Sequence, residues 1–272
     1  MNTHDTGRQS GLSSLRRTLA APLGLVCLLA AQTVHAGDSP GEPASSPRLV
    51  NTYRNPFGFS IADPAILQEG DTYYLYGTTQ PHRGFEVYTS HDLVHWRLHG
   101  LCYEVSGDSW GRRNFWAPEV IRKDGVYYLF YTAENPHAGI KNICVARSDS
   151  PTGPFTDLKA PLFPHGSFID GHVFFDEDSW EYYIYMTQEG RVPATILGAR
   201  LSDSLTEVET SFTACLKPSQ PWEDGWVEGA FVLRHGGTYY MMYSGSAFWE
   251  PAYAVGYATA PHPLGPWTKA PK

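Results

Sequence analysis

The sequence repeats itself, and its period limits the possible folds more than any other feature. Four phrases share one pattern: TYYLYGT at 72–78, VYYLFYT at 126–132, EYYIYMT at 181–187 and TYYMMYS at 238–244. The second tyrosines of the four, Tyr74, Tyr128, Tyr183 and Tyr240, follow one another at a near-constant step. Aromatic and β-branched residues dominate each phrase, as strands prefer. Gly70-Asp71, Asp124-Gly125, Asp178-Ser179 and Gly236-Gly237 precede them, so each phrase reads as the second arm of a hairpin. Further strands are predicted at 85–89, 142–147, 194–200 and 253–259. Related phrases close three of the units: DLVHW at 92–96, PTGPF at 151–155 and PLGPW at 263–267. A hairpin with further strands, recurring every ~50 residues, is the pattern of β-propeller blades. A β-sandwich also turns often, but it does not return to one phrase at a near-constant step. The expected fold is all-β, a propeller with four blades in this chain.

Residues 1–36 stand apart from the repeat. Arg8, Arg16 and Arg17 form a basic start, 19–31 is an uncharged, largely apolar run, and Val34-His35-Ala36 offers a small-residue cleavage site. This is the pattern of an export signal over 1–36; a bilayer span needs about 20 apolar residues, more than this run supplies. Residues 37–48 read as a Gly-, Pro- and Ser-rich linker, and the propeller domain is expected over 49–272. The expected location is secreted or periplasmic, without membrane association once the signal is removed. A formal charge of −8 argues against nucleic-acid binding. Cys102, Cys144 and Cys215 lack metal-ligand spacing, and in an exported chain one pair could form a disulfide. No P-loop, zinc-binding HExxH or GxSxG elbow is present.

An acid precedes each Tyr-Tyr pair by a similar interval: Asp63 before Tyr74, Glu119 before Tyr128, Asp170 before Tyr183 and Glu228 before Tyr240. At the start of a blade's innermost strand a residue faces the central axis, so four acids are expected at one mouth of the tunnel, sharing one position. Like charges gathered there raise one another's pKa. Such acids could face water, hold a central cation, or hydrolyse a glycosidic bond, which needs one acid to protonate the leaving oxygen and a second carboxylate opposite. A third acid can keep the proton on the first. Pro64 predicts an extended backbone at Asp63. Phe57, Phe59, Trp116, Phe248 and Trp249 lie near predicted strand ends, suited to stacking on sugar faces or to packing between blades. His172 follows Asp170 by two and should share its strand face, bonding a sugar hydroxyl, a central water network or interior protein groups. Glu119 reads as pocket lining or structural.

ADP at 62–64, FWAPEV at 115–120, IDGHVFFD at 169–176, VEGAFVL at 227–233, AVGYA at 254–258 and PLGPW at 263–267 occur in order at blade spacing. Together they resemble glycoside hydrolase family 43, the five-bladed β-propeller arabinofuranosidases, xylosidases and arabinanases, from about Asn51 to Trp267. The resemblance implies an inverting glycosidase acting on arabinose- or xylose-containing carbohydrate. It implies Asp63 as general base, Asp170 as pKa-modulating acid and Glu228 as general acid. Phe57, Trp116, Glu119, His172 and Trp249 are the candidate substrate-binding residues. The chemistry needs no cofactor, and the resemblance allows a structural calcium at the propeller centre. Two departures stand out. Ala230 replaces a proline that commonly follows the Glu-Gly pair, and no fifth repeat follows Trp267, so the propeller is expected to be C-terminally truncated. The alternative expectation is an inactive propeller serving at most as a carbohydrate-binding module. Arabinose against xylose, and the oligomeric state, stay open at this level.

Overall fold

A computed structural model describes residues 58–190 and 193–271. The predicted signal at 1–36, the linker at 37–48 and Phe57 lie outside the described residues. Among those described, no helix is long and apolar enough to cross a membrane. The architecture is all-β: the described residues form sixteen strands in four antiparallel sheets of four, each meandering outwards in sequence order. Blade one holds β1 (Ala62–Glu69), β2 (Thr72–Thr78), β3 (Gly84–Ser90) and β4 (Arg97–Glu104). Blade two holds β5 (Arg113–Lys123), β6 (Val126–Asn135), β7 (Ile140–Ser148) and β8 (Thr156–Lys159). Blade three holds β9 (Ser167–Asp176), β10 (Glu181–Glu189), β11 (Thr195–Leu201) and β12 (Thr213–Leu216). Blade four holds β13 (Val227–His235), β14 (Thr238–Gly245), β15 (Ala254–Ala260) and β16 (Thr268–Lys269). The repeated phrases are therefore the second strands, and the four predicted further strands are β3, β7, β11 and β15.

The repeated phrases of blades two and three are apolar on both faces because each of these blades packs on a neighbour at either side. From β6, Leu129 and Tyr131 pack towards blade one with Tyr76, Phe85 and Tyr103. Phe130, between them, points the other way and joins Val173, Ile184 and Met186 of blade three. On β10, Ile184 and Met186 face blade two, while Tyr183 and Tyr185 face Val232, Met241 and Tyr243 of blade four. The period of two along one strand thus supplies two interfaces. Each large side chain fully buried in them contributes about 1.5–3 kcal/mol. The innermost strands pack in a row, β1 on β5, β5 on β9 and β9 on β13.

Polar pins reinforce two of the junctions. Tyr76 of blade one donates its hydroxyl to the Pro151 carbonyl of blade two at 2.5 Å. Tyr185 of blade three does the same to Pro263 of blade four at 2.6 Å. Pro151 and Pro263 open the recurrent PTGPF and PLGPW phrases, so one function of those phrases is to present a carbonyl to the preceding blade. The cysteines correct an expectation: Cys102, Cys144 and Cys215 are all free and buried. Cys102 and Cys144 fill the core between blades one and two, and Cys215 that between three and four, where packing rather than bridging occupies them.

Tyr185→Phe leaves the Pro263 carbonyl buried without its donor and should destabilise the fold by about 1–2 kcal/mol. In a chain of this size that lowers Tm by roughly 2–8 °C. Tyr257→Phe, at a half-exposed position, serves as control and should leave Tm unchanged; equal shifts in the two variants would contradict the pin.

Candidate active site

One irregularity recurs in every innermost strand and builds the site. Ala62 pairs with Thr78 and Ala65 with Tyr76, so three steps on β1 match two on β2. The same extra residue lies between Trp116 and Glu119, between Ile169 and His172, and between Glu228 and Phe231. These are four equivalent β-bulges, ADPA, WAPE, IDGH and EGAF. In each, the second residue is left-handed: Asp63 at φ 51°, Ala117 at 44°, Asp170 at 59° and Gly229 at 63°. Bulges bend a strand and re-aim its side chains, and here they do so at one end of the axis.

The bulge corrects two expectations. Pro64 was expected to hold Asp63 extended; the bulge instead requires a left-handed residue there, a conformation that Asp tolerates better than most. Glu119 was expected to share one position with the other three acids. The acids in fact occupy three different places of the bulge: Glu228 the first, Asp63 and Asp170 the second, Glu119 the fourth. Glu228 stands one residue early with a side chain one methylene longer, while Glu119 drops a layer along the axis.

Inter-blade hydrogen bonds fix the bulges relative to one another. Thr78 closes β2, donates to Asp63 Oδ2 at 2.5 Å and accepts the Ala117 N–H of blade two at 2.9 Å. Thr132 closes the equivalent phrase of blade two and accepts the Asp170 N–H at 3.0 Å. The Gly229 N–H of blade four is taken by Asp170 Oδ2 at 3.2 Å. Glu228 accepts from both sides, Trp226 Nε1–H at 2.6 Å and the Tyr253 hydroxyl at 3.0 Å. The threonines, Trp226 and Tyr253 were missed in the sequence. The threonines had a signal, since Thr78, Thr132, Thr187 and Ser244 end the four repeated phrases; Tyr253 had none, because a loop brings it in.

The electrostatics follow from crowding. Burial pushes the Asp170 carboxyl well above the usual range, and the charges of Glu228 and Asp63 push it further. Glu228 is also raised, by burial first and by Asp63, against the lowering pull of Trp226 and Tyr253. Glu189 adds negative charge to both, and is itself clasped by Lys141 Nζ at 2.7 and 2.9 Å. Lys141 also lies 5.1 Å from the centre of the half-buried Trp116 ring. Trp249 is 70% exposed and meets Phe248 edge to face at 4.8 Å. Phe59 instead stacks on Tyr88 of blade one at 4.1 Å.

Below the acids, in the fourth bulge places, Glu119 and His172 meet. His172 Nε2 lies 2.9 Å from the Val232 nitrogen and 3.3 Å from its carbonyl oxygen, and Nδ1 lies 2.7 Å from Glu119 Oε2. Three blades are joined by this chain, and both ring nitrogens are used within the protein. Among the described residues no group of three or more His, Cys, Asp or Glu side chains could hold a metal ion.

Fold and site together define a bladed propeller with an acidic, aromatic-rimmed mouth at one end of its axis. The chain belongs to glycosyl hydrolases family 43, whose sequence model matches residues 53–272. A crystal structure of a thermostable family-43 glycoside hydrolase is 41% identical, with a TM-score of 0.75 over 80% of this chain and 75% of that one. An endo-1,4-β-xylanase structure from Bacteroides thetaiotaomicron is 35% identical, with a TM-score of 0.70 over 78% of this chain and 72% of that one. A β-D-galactofuranosidase of Aspergillus niger is 26% identical over 78% of this chain, which spans 64% of that protein's length. A xylosidase/arabinosidase of Bacteroides ovatus is 25% identical, covering 78% of this chain and 77% of its own.

A carboxyl raised on folding holds its proton more tightly in the native state, so ionising it weakens the fold. That penalty is absent below the unfolded pKa and grows as pH rises through the folded one. Asp170→Asn, which keeps an oxygen for the Gly229 N–H, should therefore raise Tm at high pH. The gain should fade towards about pH 4 in thermal melts; a gain that grows on acidification would contradict the assigned direction.

Proposed function

We propose that this chain hydrolyses glycosidic bonds of xylose-, arabinose- or galactose-containing glycans with inversion at the anomeric carbon. The observation that carries the reading is the convergence of Asp63, Asp170 and Glu228 through equivalent bulges, with Glu228 and Asp170 both raised. Glu228 is the general acid: its raised pKa keeps a proton available for the leaving oxygen, and Trp226 and Tyr253 hold its two oxygens. Asp63 is the general base. It is exposed and held by Thr78 on blade one, three blades from Glu228, where it can draw a proton from a water that attacks the far face of the sugar. Asp170, between them, raises Glu228 by its charge whenever it is ionised and orients the bulge that carries it.

Trp116 and Trp249 offer ring faces to sugar, the first braced by Lys141 and the second free at the rim. Phe57 retains the same proposed role. For Glu119 and His172 the bonds to each other and to Val232 favour support from beneath over direct contact with sugar. Similarity to a β-D-galactofuranosidase and to a xylosidase/arabinosidase supports this range of sugars. The leader at 1–36 supports export, and with it action on polysaccharide outside the cytoplasm.

Glu228→Gln should lower kcat/KM about 10²- to 10⁴-fold on aryl xyloside, arabinofuranoside or galactoside substrates, with the melting curve preserved. Proton NMR of the first product formed should show the inverted anomer. Undiminished turnover in Glu228→Gln overturns the role of the acid, and a retained anomer overturns the mechanism.

A further inference from the structure

Thr187 breaks the pattern that Thr78 and Thr132 set. All three end the repeated phrase of a second strand and pair with the first residue of their bulge: Thr78 with Ala62, Thr132 with Trp116, Thr187 with Ile169. Thr78 and Thr132 each accept the N–H of the left-handed residue in the next blade. By that rule Thr187 should accept the N–H of Gly229. It does not. Thr187 is fully buried, and its hydroxyl has no hydrogen-bond partner among the described residues. The Gly229 N–H goes to Asp170 Oδ2 instead, at 3.2 Å the longest of the three links.

A buried hydroxyl without a partner costs stability, and an apolar residue of the same shape would avoid that cost. Valine has nearly the shape of threonine and suits a strand equally well. The hydroxyl is thus unexplained by the fold in this state. It is explained if the Gly229 N–H has two acceptors. We infer that Thr187 is the second: when Asp170 turns to the substrate, the Gly229 N–H passes to the Thr187 hydroxyl. The bulge that carries Glu228 then keeps an inter-blade link throughout the cycle.

The geometry favours such a hand-over. The backbone of Asp170 is held by Thr132, so its side chain can rotate while its strand stays fixed. β10 already packs on β13, and a Cβ added at Gly229 would meet only the Ser244 hydroxyl within 4 Å, so the bulge has room to shift slightly. Thr187 is on this account a positioning residue. It touches neither water nor sugar, and it holds Glu228 while Asp170 is engaged elsewhere. The inference rests on the proposed roles of Asp170 and Glu228 for its meaning in catalysis, but not for its test.

That test is a double-mutant cycle read by thermal unfolding of the full chain, which needs no turnover. In the wild-type background Thr187→Val removes an unpartnered hydroxyl, so Tm should hold or rise. In the Asp170→Ala background the Gly229 N–H depends on Thr187, and the same substitution should lower Tm by roughly 2–4 °C. A crystal structure of Asp170→Ala should show Thr187 Oγ1 within hydrogen-bonding distance of the Gly229 nitrogen. In turnover assays Thr187→Val should lose about five- to tenfold in kcat with little change in KM, and Thr187→Ser should recover most of it. An additive cycle, or a Thr187→Val enzyme as fast as an active wild type, overturns the inference. An inactive wild type with a non-additive cycle would instead sink the glycosidase reading and leave the hand-over standing.

Discussion

Everything at the mouth of this propeller depends on one backbone device, a bulge with a left-handed residue at its second place. Strands in neighbouring blades belong to different sheets and share no ladder of backbone hydrogen bonds, so nothing in ordinary pairing sets their relative height. The bulge exposes one N–H per blade, and the preceding blade takes it with a threonine hydroxyl, or with Asp170 at the last junction. Height along the axis is therefore set by side-chain acceptors. Ala117 adopts the same left-handed geometry with no carboxylate to justify it. A non-glycine residue there costs about 1–2 kcal/mol, which argues that the geometry belongs to the fold and was available for catalysis to use.

The same device explains how three carboxylates come together at tolerable cost. Each is supported separately: Asp63 by Thr78, Asp170 by the Gly229 N–H, Glu228 by Trp226 and Tyr253. Burial and mutual repulsion raise two of them, and the donors on Glu228 oppose part of that rise. Repulsion, burial and donation act on the Glu228 carboxyl in opposing directions, and the balance leaves it above its ordinary range. Beneath them the Glu119–His172–Val232 chain joins blades two, three and four.

Much of this was legible in the sequence because blades repeat. The second strands, the four further strands and the acids at 63, 170 and 228 all follow from the period. The error at Glu119 shows what spacing cannot reveal. The intervals from Asp63 to Tyr74, Glu119 to Tyr128, Asp170 to Tyr183 and Glu228 to Tyr240 look like scatter about one position. They combine two separate quantities, the place within the bulge and the length of the hairpin. Measured from the left-handed residue, the interval is identical in three blades: Asp63 to Tyr74, Ala117 to Tyr128 and Gly229 to Tyr240. Asp170 stands two places further back, because four residues separate Asp176 from Glu181 where the other hairpins turn in two. A bulge leaves no composition signal of its own, and Pro64 pointed the other way. Tyr253 was beyond reach for a different reason, since only the folded loop carries it to Glu228.

The three free thiols have a consequence for how the molecule can be handled. Burial pushes Cys102 and Cys215 up to about 12, and Cys144 higher still, so hardly any thiolate exists at neutral pH to attack a disulfide or meet an oxidant. The packed blades hold without covalent staples. Folding of the described blades accordingly asks nothing of an oxidoreductase, and material prepared under reducing or oxidising conditions should hold the same propeller.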